Sequence, residues 1–374
     1  MSATRIGEAL RTTAALLVVA LLVVALASPV RHALGQPVLK KLKFGIGSLV
    51  VNLTYPWAMM PVALGYWRQA GYDADVFAAQ GSVQGIQQLY AGNLDFLEAN
   101  SAPIVQAVAS KKVPLRTVMV NTVIDWSLVV PDESPIRDVQ DFKGKTIGVS
   151  TLGTGGVALL NSFLVGHGLK PDADFSLVAV GVGPSALEAL RSNHVQGLMF
   201  WGSAVTGFEV AGVKLRYFFD PAWRRYPDFS MVTLQSTIER EPQMVEAIVR
   251  GAAMGSLFAA TNPDCVRRIQ WAKFPDTKPS GADEAKLAAA DLRRLEGQLE
   301  GMKQALQMGG GKLWGNVTAQ DFARTEQLLL DTQVIANRAA SPAEYLVGIQ
   351  DFFEKVNTFD HEAVVRQAKE CKLP

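Results

Sequence analysis

The sequence predicts an α/β protein with two lobes, each a mostly parallel sheet flanked by helices, and a helical C-terminal tail. Three observations lead to this prediction. The chain has 374 residues, the length of about two ordinary domains. Up to Ser236, short apolar runs alternate with helical stretches, which is typical of parallel sheets covered by helices. A strand and the helix after it also recur about a hundred positions later.

Ten segments are predicted to be strands because they are short and apolar or alternating. They lie at residues 42–47, 74–78, 94–98, 115–120, 127–130, 146–150, 176–180, 196–200, 214–218 and 230–234. Helices fall between them. The first helix begins near Pro56, which suits the first position of a helix, and is expected to end at Gly71.

The two halves of this region resemble each other. Residues 44–49 (Phe-Gly-Ile-Gly-Ser-Leu) correspond to residues 147–152 (Ile-Gly-Val-Ser-Thr-Leu), and residues 86–95 correspond to 187–196. Common ancestry and chance similarity between two βαβ units both explain the match. Under either explanation, two lobes of similar plan imply a cleft between them.

The strand signal stops after Ser236, and the rest of the chain is predicted to be helical. Helices are expected at residues 241–260, 282–308 and 318–338, the last opened by Thr318 as its N-cap. Three consecutive glycines at 309–311 separate the last two helices. We expect such a tail to pack on one lobe.

Composition excludes several classes of protein. Hydrophobic residues make up 49% and charged residues 19%, and the net charge is +1. This balance is that of a globular protein, and it predicts neither a disordered chain nor a nucleic-acid partner. The four histidines show no close metal-ligand spacing, so no metal and no cofactor are expected. Cys265 and Cys371 are expected to be free thiols, with a bridge between them as the alternative.

Residues 1–27 have the features of a secretory leader. Two arginines precede an uncharged run at residues 12–27, and residues 25–27 (Ala-Leu-Ala) form a small-x-small cleavage signal. The alternative is an uncleaved anchor, but a helix of this length spans about 24 Å against a hydrocarbon core of roughly 30 Å. The leader predicts a protein exported to the periplasm.

Loops after the strands are the candidate ligand-binding segments. In parallel α/β sheets, ligands bind at the carboxyl ends of strands, where helices present free N–H groups. The turn at 151–156 (Thr-Leu-Gly-Thr-Gly-Gly) follows a strand and precedes an apolar helix, so it is predicted to hold an anion. A plain glycine turn is the alternative. The turn at 151–156 also fits a fingerprint of dinucleotide-binding proteins, but the next strand has no acidic residue at its tip to bind a ribose.

The sequence contains no common catalytic motif, and we expect that the protein is not an enzyme.

Residues 61–72 and 134–149, followed by the Gly-Thr-Gly-Gly turn, resemble the substrate-binding proteins of ABC importers. The resemblance covers residues 42–235 and concerns the group that includes nitrate, taurine and alkanesulfonate binders and the pyrimidine binders of thiamine-precursor uptake. It implies a two-lobed, periplasmic-binding-protein (clamshell) fold. Residues 42–126 plus 229–374 would form the first lobe and 131–218 the second, with crossovers near 126–131 and 219–229. The expected protein is a monomer that delivers a small anionic ligand to an ABC permease and its ATPase.

The resemblance also implies a set of site residues. The second lobe supplies the anion subsite, with Thr151, Gly153, Thr154, Gly155 and Gly156. The first lobe supplies the matching polar residues Ser48, Gln80, Ser82, Asn100 and Ser101. Aromatic residues near these loops could stack a flat ligand, namely Tyr55, Trp57, Trp126 and Trp201.

Several alternatives stay open. Nitrate, a sulfonate, a taurine-like ligand, an aromatic acid and a pyrimidine phosphate could all use the turn. A binding protein that feeds a sensor would have the same sequence features. A thiamine-pyrimidine synthase-like enzyme, which consumes its own histidine and uses a cysteine-rich iron site, is less consistent with a chain that has two cysteines.

Overall fold

The computed structural model describes residues 38–373. The predicted leader at residues 1–27 lies outside the described residues. Ten strands are found, one at each predicted position. They are β1 Lys40–Ile46, β2 Tyr72–Ala78, β3 Phe96–Ala99, β4 Leu115–Val120, β5 Ser127–Pro131, β6 Lys145–Val149, β7 Phe175–Ala179, β8 Gly197–Phe200, β9 Leu215–Phe218 and β10 Ser230–Leu234.

The strands form two mixed five-stranded sheets with the same plan. The strand order is β2-β1-β3-β10-β4 in the first sheet and β7-β6-β8-β5-β9 in the second. In each sheet the strand in fourth position, β10 or β5, runs antiparallel to both of its neighbours. We call the first sheet and its helices the first lobe, and the second sheet and its helices the second lobe. The chain passes between the sheets twice, at residues 121–126 and 219–229.

Register brings the strand ends of each sheet to one edge. In the first sheet, Ile46 lies opposite both Ala78 and Glu98. In the second, Val149 lies opposite both Ala179 and Met199. The loops that leave these strands therefore start side by side, and the two crossovers run past them. β5 occupies the segment where the sequence predicts the first crossover, so the chain crosses before it.

The helices cover both sheets and form the tail. They are α1 Pro56–Ala63, α2 Tyr66–Gln69, α3 Ser82–Tyr90, α4 Ser101–Val105, α5 Gly155–Gly166, α6 Pro184–Arg191, α7 Gly202–Val210, α8 Gln235–Arg240, α9 Pro242–Thr261, α10 Pro263–Lys273, α11 Glu284–Met308, α12 Ala319–Asp331, α13 Phe352–Val356 and α14 His361–Glu370. The helix α9 is long and apolar enough to cross a membrane, but 61% of its apolar window is buried inside the protein, as in a core helix.

Two predicted helices are shorter than expected. The first is divided into α1 and α2 by Gly65, whose φ of 75° is left-handed. The last, α12, ends at Asp331 instead of residue 338. Beyond it, Gln333 adopts a φ of 58°. Its N–H bonds the Leu330 carbonyl, and the next N–H bonds the Leu329 carbonyl, which is the Schellman arrangement that terminates a helix.

The tail contacts both lobes, although the sequence predicts packing on one. α11 packs along α7 of the second lobe. A Cβ at Gly301 would lie 3.6 Å from Thr122 of the first crossover, so α11 also touches the segment between the lobes. After α12, the Thr332 hydroxyl donates a hydrogen bond to Ser162 Oγ of α5, at 2.9 Å.

The expectation of two free thiols is wrong. Cys265 and Cys371 form a disulfide, with Cα atoms 5.6 Å apart. Cys265 lies in the first turn of α10, and Cys371 follows α14. Both helices pack against α9, and this packing brings together two cysteines that are 106 positions apart in sequence. Sequence spacing alone carries no information about that distance.

Candidate functional site

A cavity lies where the strand ends of both lobes meet the two crossovers. Its empty volume is about 490 Å³, part of which is open to solvent. Its walls come from the first lobe, the second lobe, both crossovers and the tail. The lining residues are Gly47, Ser48, Leu49, Tyr55, Gly81, Asn100, Thr122, Asp125, Trp126, Ser150, Thr151, Thr154, Trp201, Asp228, Phe229 and Gln298.

The predicted site residues divide into those that border this cavity and those that do not. The cavity is lined by Ser48, Tyr55, Asn100, Trp126, Thr151, Thr154 and Trp201. Behind this wall lie Trp57, Ser82, Ser101, Gly153, Gly155 and Gly156. Gln80 is exposed, with a φ of 61°. The binding role of all these residues stays a prediction.

The glycines of the predicted anion turn are in contact with protein. A Cβ at Gly155 would lie 2.3 Å from Cβ of Asn100 in the first lobe. At Gly153 it would lie 2.1 Å from Gln84 Oε1, also in the first lobe. Across the same boundary, the Val83 N–H donates to the Gly153 carbonyl at 3.1 Å. The lobes are therefore closed on each other here, and the absence of side chains on the turn permits that approach.

Gly156 has a different neighbour. A Cβ there would lie 2.2 Å from the ring of Trp126. The helix α5 therefore starts directly against the aromatic side chain of the first crossover. The indole is held from the other side as well, since its Nε1 donates to Asp228 Oδ2 at 2.8 Å. This fixes the ring in the wall of the cavity.

Asp228 accepts hydrogen bonds from three residues in two segments of the chain. Besides the Trp126 indole, Asn100 Nδ2 donates to Oδ2 at 2.9 Å, and the Ser101 N–H donates to Oδ1 at 3.1 Å. Ser82 Oγ donates to Asn100 Oδ1 at 2.9 Å and orients that amide. Asp228 is 1% exposed. Burial and the nearby charge of Asp125 raise the pKa of Asp228 to about 7, against the opposing effect of these donors.

Asp125 belongs to the first crossover and also borders the cavity. Its Oδ2 accepts the N–H of Gly202, the first residue of α7, at 3.1 Å. A carboxylate at a helix N-terminus is favoured by the helix dipole. Burial is the main cause that raises the pKa of Asp125, while Arg224 opposes this rise. That guanidinium donates to the Ile124 carbonyl and lies 5.2 Å from the Phe219 ring centroid.

A third carboxyl, Glu98, lies beneath the cavity at the end of β3. It is fully buried, and Asn121 Nδ2 lies 3.0 Å from each of its oxygens. Burial raises the pKa of Glu98 to about 8, so this side chain is mostly protonated at neutral pH. Glu98 also affects Tyr55. The burial of Tyr55 is the main cause that raises its pKa to about 12, and the negative charge of ionised Glu98 raises it further.

Aromatic rings occupy much of the cavity wall. Trp126 and Trp201 make an edge contact, with ring centroids 5.5 Å apart at 62°. Tyr55 lies 5.8 Å from Phe229. These two pairs come from different parts of the chain, and each presents ring surface to the cavity. Such a lining favours a small ligand with a flat or apolar portion.

Sequence reasoning missed three groups of lining residues. Thr122, Asp125, Asp228 and Phe229 lie in the crossovers, and Gln298 lies in the tail helix α11. Leu49 and Gly81 lie in loops that the sequence predicts to bind ligand, and Gly47 and Ser150 are the last residues of predicted strands, but the sequence singles out none of the four. Asp125 could have been found because it precedes Trp126 in a predicted crossover. Gln298 had no signal, since nothing in a helical tail shows which face meets a cleft.

Comparison with known proteins identifies the class. The family described as "NMT1/THI5 like" matches residues 59–265, more than half of the chain, and the protein belongs to this family. Its fold is the two-lobed periplasmic-binding-protein fold, as the sequence predicts. No curated protein sequence matches the chain significantly.

Solved structures with this fold include both binding proteins and an enzyme. A protein from Bordetella bronchiseptica RB50 aligns with a TM-score of 0.65 and 20% identity, over 85% of this chain and 96% of its own. The periplasmic sulfonate-binding protein SsuA of a sulfonate ABC transporter from Methylobacillus flagellatus aligns with a TM-score of 0.55 and 16% identity, over 85% and 94%. The desulfurization enzyme DSZB aligns with a TM-score of 0.53 and 16% identity, over 85% and 99%. At these identities the likeness concerns the fold.

Proposed function

We propose that this protein is the solute-binding component of an ABC importer, exported to the periplasm by its N-terminal leader. The observation that carries the proposal is the cavity enclosed between two lobes in contact, with walls from both lobes and both crossovers. A site divided in this way is suited to trapping a ligand by domain closure. The similarity in fold to a sulfonate-binding protein of an ABC transporter supports the same function.

The contacts between the lobes define how the cleft would work. In the open form, Gly153 and Gly155 separate from Gln84 and Asn100, and a small molecule enters between them. Closure brings the Thr151 and Thr154 side of the cavity onto the Ser48 and Tyr55 side. A ligand that touches both sides stabilises the closed form by its differential affinity for the two states. The closed form would then dock on the permease.

Two alternatives follow from the same fold. A binding protein that delivers its ligand to a sensor would have the same cleft and would differ in its partner. An enzyme is the second, because DSZB shares the fold. Among the residues that line the cavity of the described chain there is no cysteine and no histidine. Both cysteines are joined in a disulfide. The cavity therefore offers no thiol nucleophile and no imidazole base, which favours binding over catalysis.

Ligand capture tests the proposal. Protein stripped of ligand by unfolding and refolding is incubated with a small-molecule extract of the source cells, repurified, and analysed for bound compounds. We expect one compound to be enriched at a stoichiometry of 1:1. A strain that lacks the protein should then fail to take up that compound in labelled form, and Trp201→Ala, which removes ring surface from the cavity, should restore uptake poorly. Normal uptake by the deletion strain would exclude the importer function.

A further inference from the structure

The charges around the cavity differ from those that an anion requires. Two aspartates, Asp125 and Asp228, line it. Glu98 lies beneath it, fully buried. Among the described residues, no lysine, arginine or histidine lines the cavity. The nearest cation in the crossovers, Arg224, is bonded to the Ile124 carbonyl and packed over Phe219. Glu98 is mostly protonated at neutral pH, so the aspartates are the groups that would repel an anion, and no side-chain cation lines the cavity to bind an anion directly.

The two aspartates differ in what they can offer a ligand. Asp228 accepts bonds at both of its oxygens, from Asn100 and Trp126 at one and from Ser101 at the other. Both oxygens of Asp228 are therefore already used as acceptors by residues in and behind the cavity wall. Within residues 38–373, Asp125 accepts the backbone N–H of Gly202 at Oδ2, and no side chain donates a hydrogen bond to it. It is also only partly buried at the cavity wall. Asp125 is therefore the carboxyl group of the cavity wall to which no side chain of the described residues donates a hydrogen bond.

The rest of the wall is consistent with a ligand that donates hydrogen bonds. Thr151 Oγ1 is buried and has no hydrogen-bond partner in the described part of the chain. Gln298 adds an amide from the tail. Aromatic faces of Trp126, Trp201 and Tyr55 attract cations through their ring electrons as well as flat rings through stacking.

From this arrangement we infer that the cavity takes a small planar ligand with a positively charged or N–H-rich nitrogen group, which binds Asp125 while its ring packs against Trp126 and Trp201. This inference rests on the proposed solute-binding function and deepens it. It replaces the anion that the turn at 151–156 predicts, because the glycines of that turn contact the first lobe and Trp126. An amidinium or aminated heterocycle has the planar donor pair that a carboxylate binds best.

Matched probes of opposite charge test the inference. Benzamidine and benzoate have nearly the same shape and opposite charge. Benzylamine and benzenesulfonate are a second pair of opposite charge and similar size. Thermal shift and calorimetric titration are carried out with each compound on the full chain. We expect benzamidine and benzylamine to bind at least tenfold more tightly than their anionic counterparts. Asp125→Asn keeps an acceptor for the Gly202 N–H and should weaken benzamidine at least tenfold. The matched control Asp172→Asn removes the same charge from an exposed position and should bind like the parent.

The outcomes separate the ligand class from the function. The inference is wrong if neither cationic probe binds, if benzoate or benzenesulfonate binds as tightly as its partner, or if Asp125→Asn leaves benzamidine affinity unchanged in a folded protein. A circular dichroism melt of Asp125→Asn checks the fold, and if that variant is unfolded, competition of benzamidine with the captured natural compound on the parent protein decides. An anionic compound captured from extract would overturn the cation inference and leave the solute-binding function standing. Capture of no compound at all would count against the function itself.

Discussion

The indole of Trp126 donates a hydrogen bond to the carboxylate of Asp228, with 2.8 Å between Nε1 and Oδ2. One residue lies in the first crossover and the other in the second. This bond therefore joins the two segments about which the lobes would move, directly at the cavity wall. Asn100 and Ser101 of the first lobe bond the same carboxylate, so the second crossover is anchored to that lobe. The first crossover also bonds the second lobe, through Asp125 and the Gly202 N–H.

Removal of the Asp228 carboxylate should therefore be costly. Asp228→Ala leaves the Trp126 indole, the Asn100 amide and the Ser101 N–H without their acceptor. Each unpaired buried donor costs about 1–3 kcal/mol, and water admitted into the gap offsets part of the sum, so we expect a loss of about 3 kcal/mol. Urea unfolding at pH 6, below the Asp228 pKa of about 7, measures the change in the free energy of unfolding. The control Glu133→Ala, on the surface, should change stability by less than about 0.5 kcal/mol. Equal stability of the two variants would contradict the anchoring role.

Glu98 predicts a pH dependence of stability. Its pKa is about 8 in the native state and 4.5 in the unfolded chain, so the native state holds the proton more tightly. The free energy of unfolding should therefore fall as the pH rises from about 5 to 8, by roughly 1.4 kcal/mol per pH unit for this one proton. Glu98→Gln keeps the shape and cannot ionise. We expect a flatter profile for this variant in urea melts between pH 5 and 8. Parallel profiles for the two proteins would show that Glu98 does not titrate there.

Closure of the cleft should depend on Gly155. A Cβ at this position would lie 2.3 Å from Asn100 of the other lobe, whereas one at Gly166 in the same helix α5 meets nothing within 4 Å. Gly155→Ala should keep the fold and impede closure, with ligand affinity at least tenfold lower. Gly166→Ala adds the same methyl group and should leave affinity unchanged, with a small gain in helix stability. Ligand titration followed by small-angle X-ray scattering checks both. If the radius of gyration of Gly155→Ala falls on ligand addition as far as that of the parent protein, closure does not depend on the contact between Gly155 and Asn100.

The disulfide should stabilise the first lobe without affecting the cleft. It closes a loop with a sequence separation of 106 residues. In the chain-entropy model this contributes about 4–5 kcal/mol. Replacement of Cys265 and Cys371 together by serine should lower the melting temperature and leave ligand affinity unaltered, because neither residue lines the cavity. Peptide mass analysis without reductant establishes the bond in the parent protein, and detection of two free thiols would contradict it.

The positions of the strands could be read from the sequence because each strand is a short apolar segment with a local pattern. This pattern predicts strands at residues 127–130 and 230–234, and the structure has them at Ser127–Pro131 and Ser230–Leu234. Each of these two strands takes the fourth position in one sheet, β5 in the second sheet and β10 in the first. That position depends on pairing with strands that are distant in sequence. Local pattern does not encode it, although the family resemblance implies the two-lobed plan.

The site was predictable only in part, for a similar reason. Tyr55, Asn100 and Trp201 follow strands, and the rule that ligands bind at strand ends identifies them. Gln298 lines the cavity from the tail helix α11, which packs against α7 of the second lobe. The rule about strand ends does not apply to a helix. Gly155 illustrates the converse case: its lack of a side chain is explained by the approach of Asn100, which becomes visible only when both lobes are placed.

Native mass spectrometry of freshly purified protein tests the central claim most directly. A solute-binding protein that closes over its ligand should carry one small molecule per chain, and its mass should be lost when Gly155→Ala prevents closure. Gly166→Ala should retain it. A parent protein that carries no small molecule, or a Gly155→Ala variant that retains the molecule as fully as the parent, would contradict the assignment of this cavity as the binding site of a solute-binding protein.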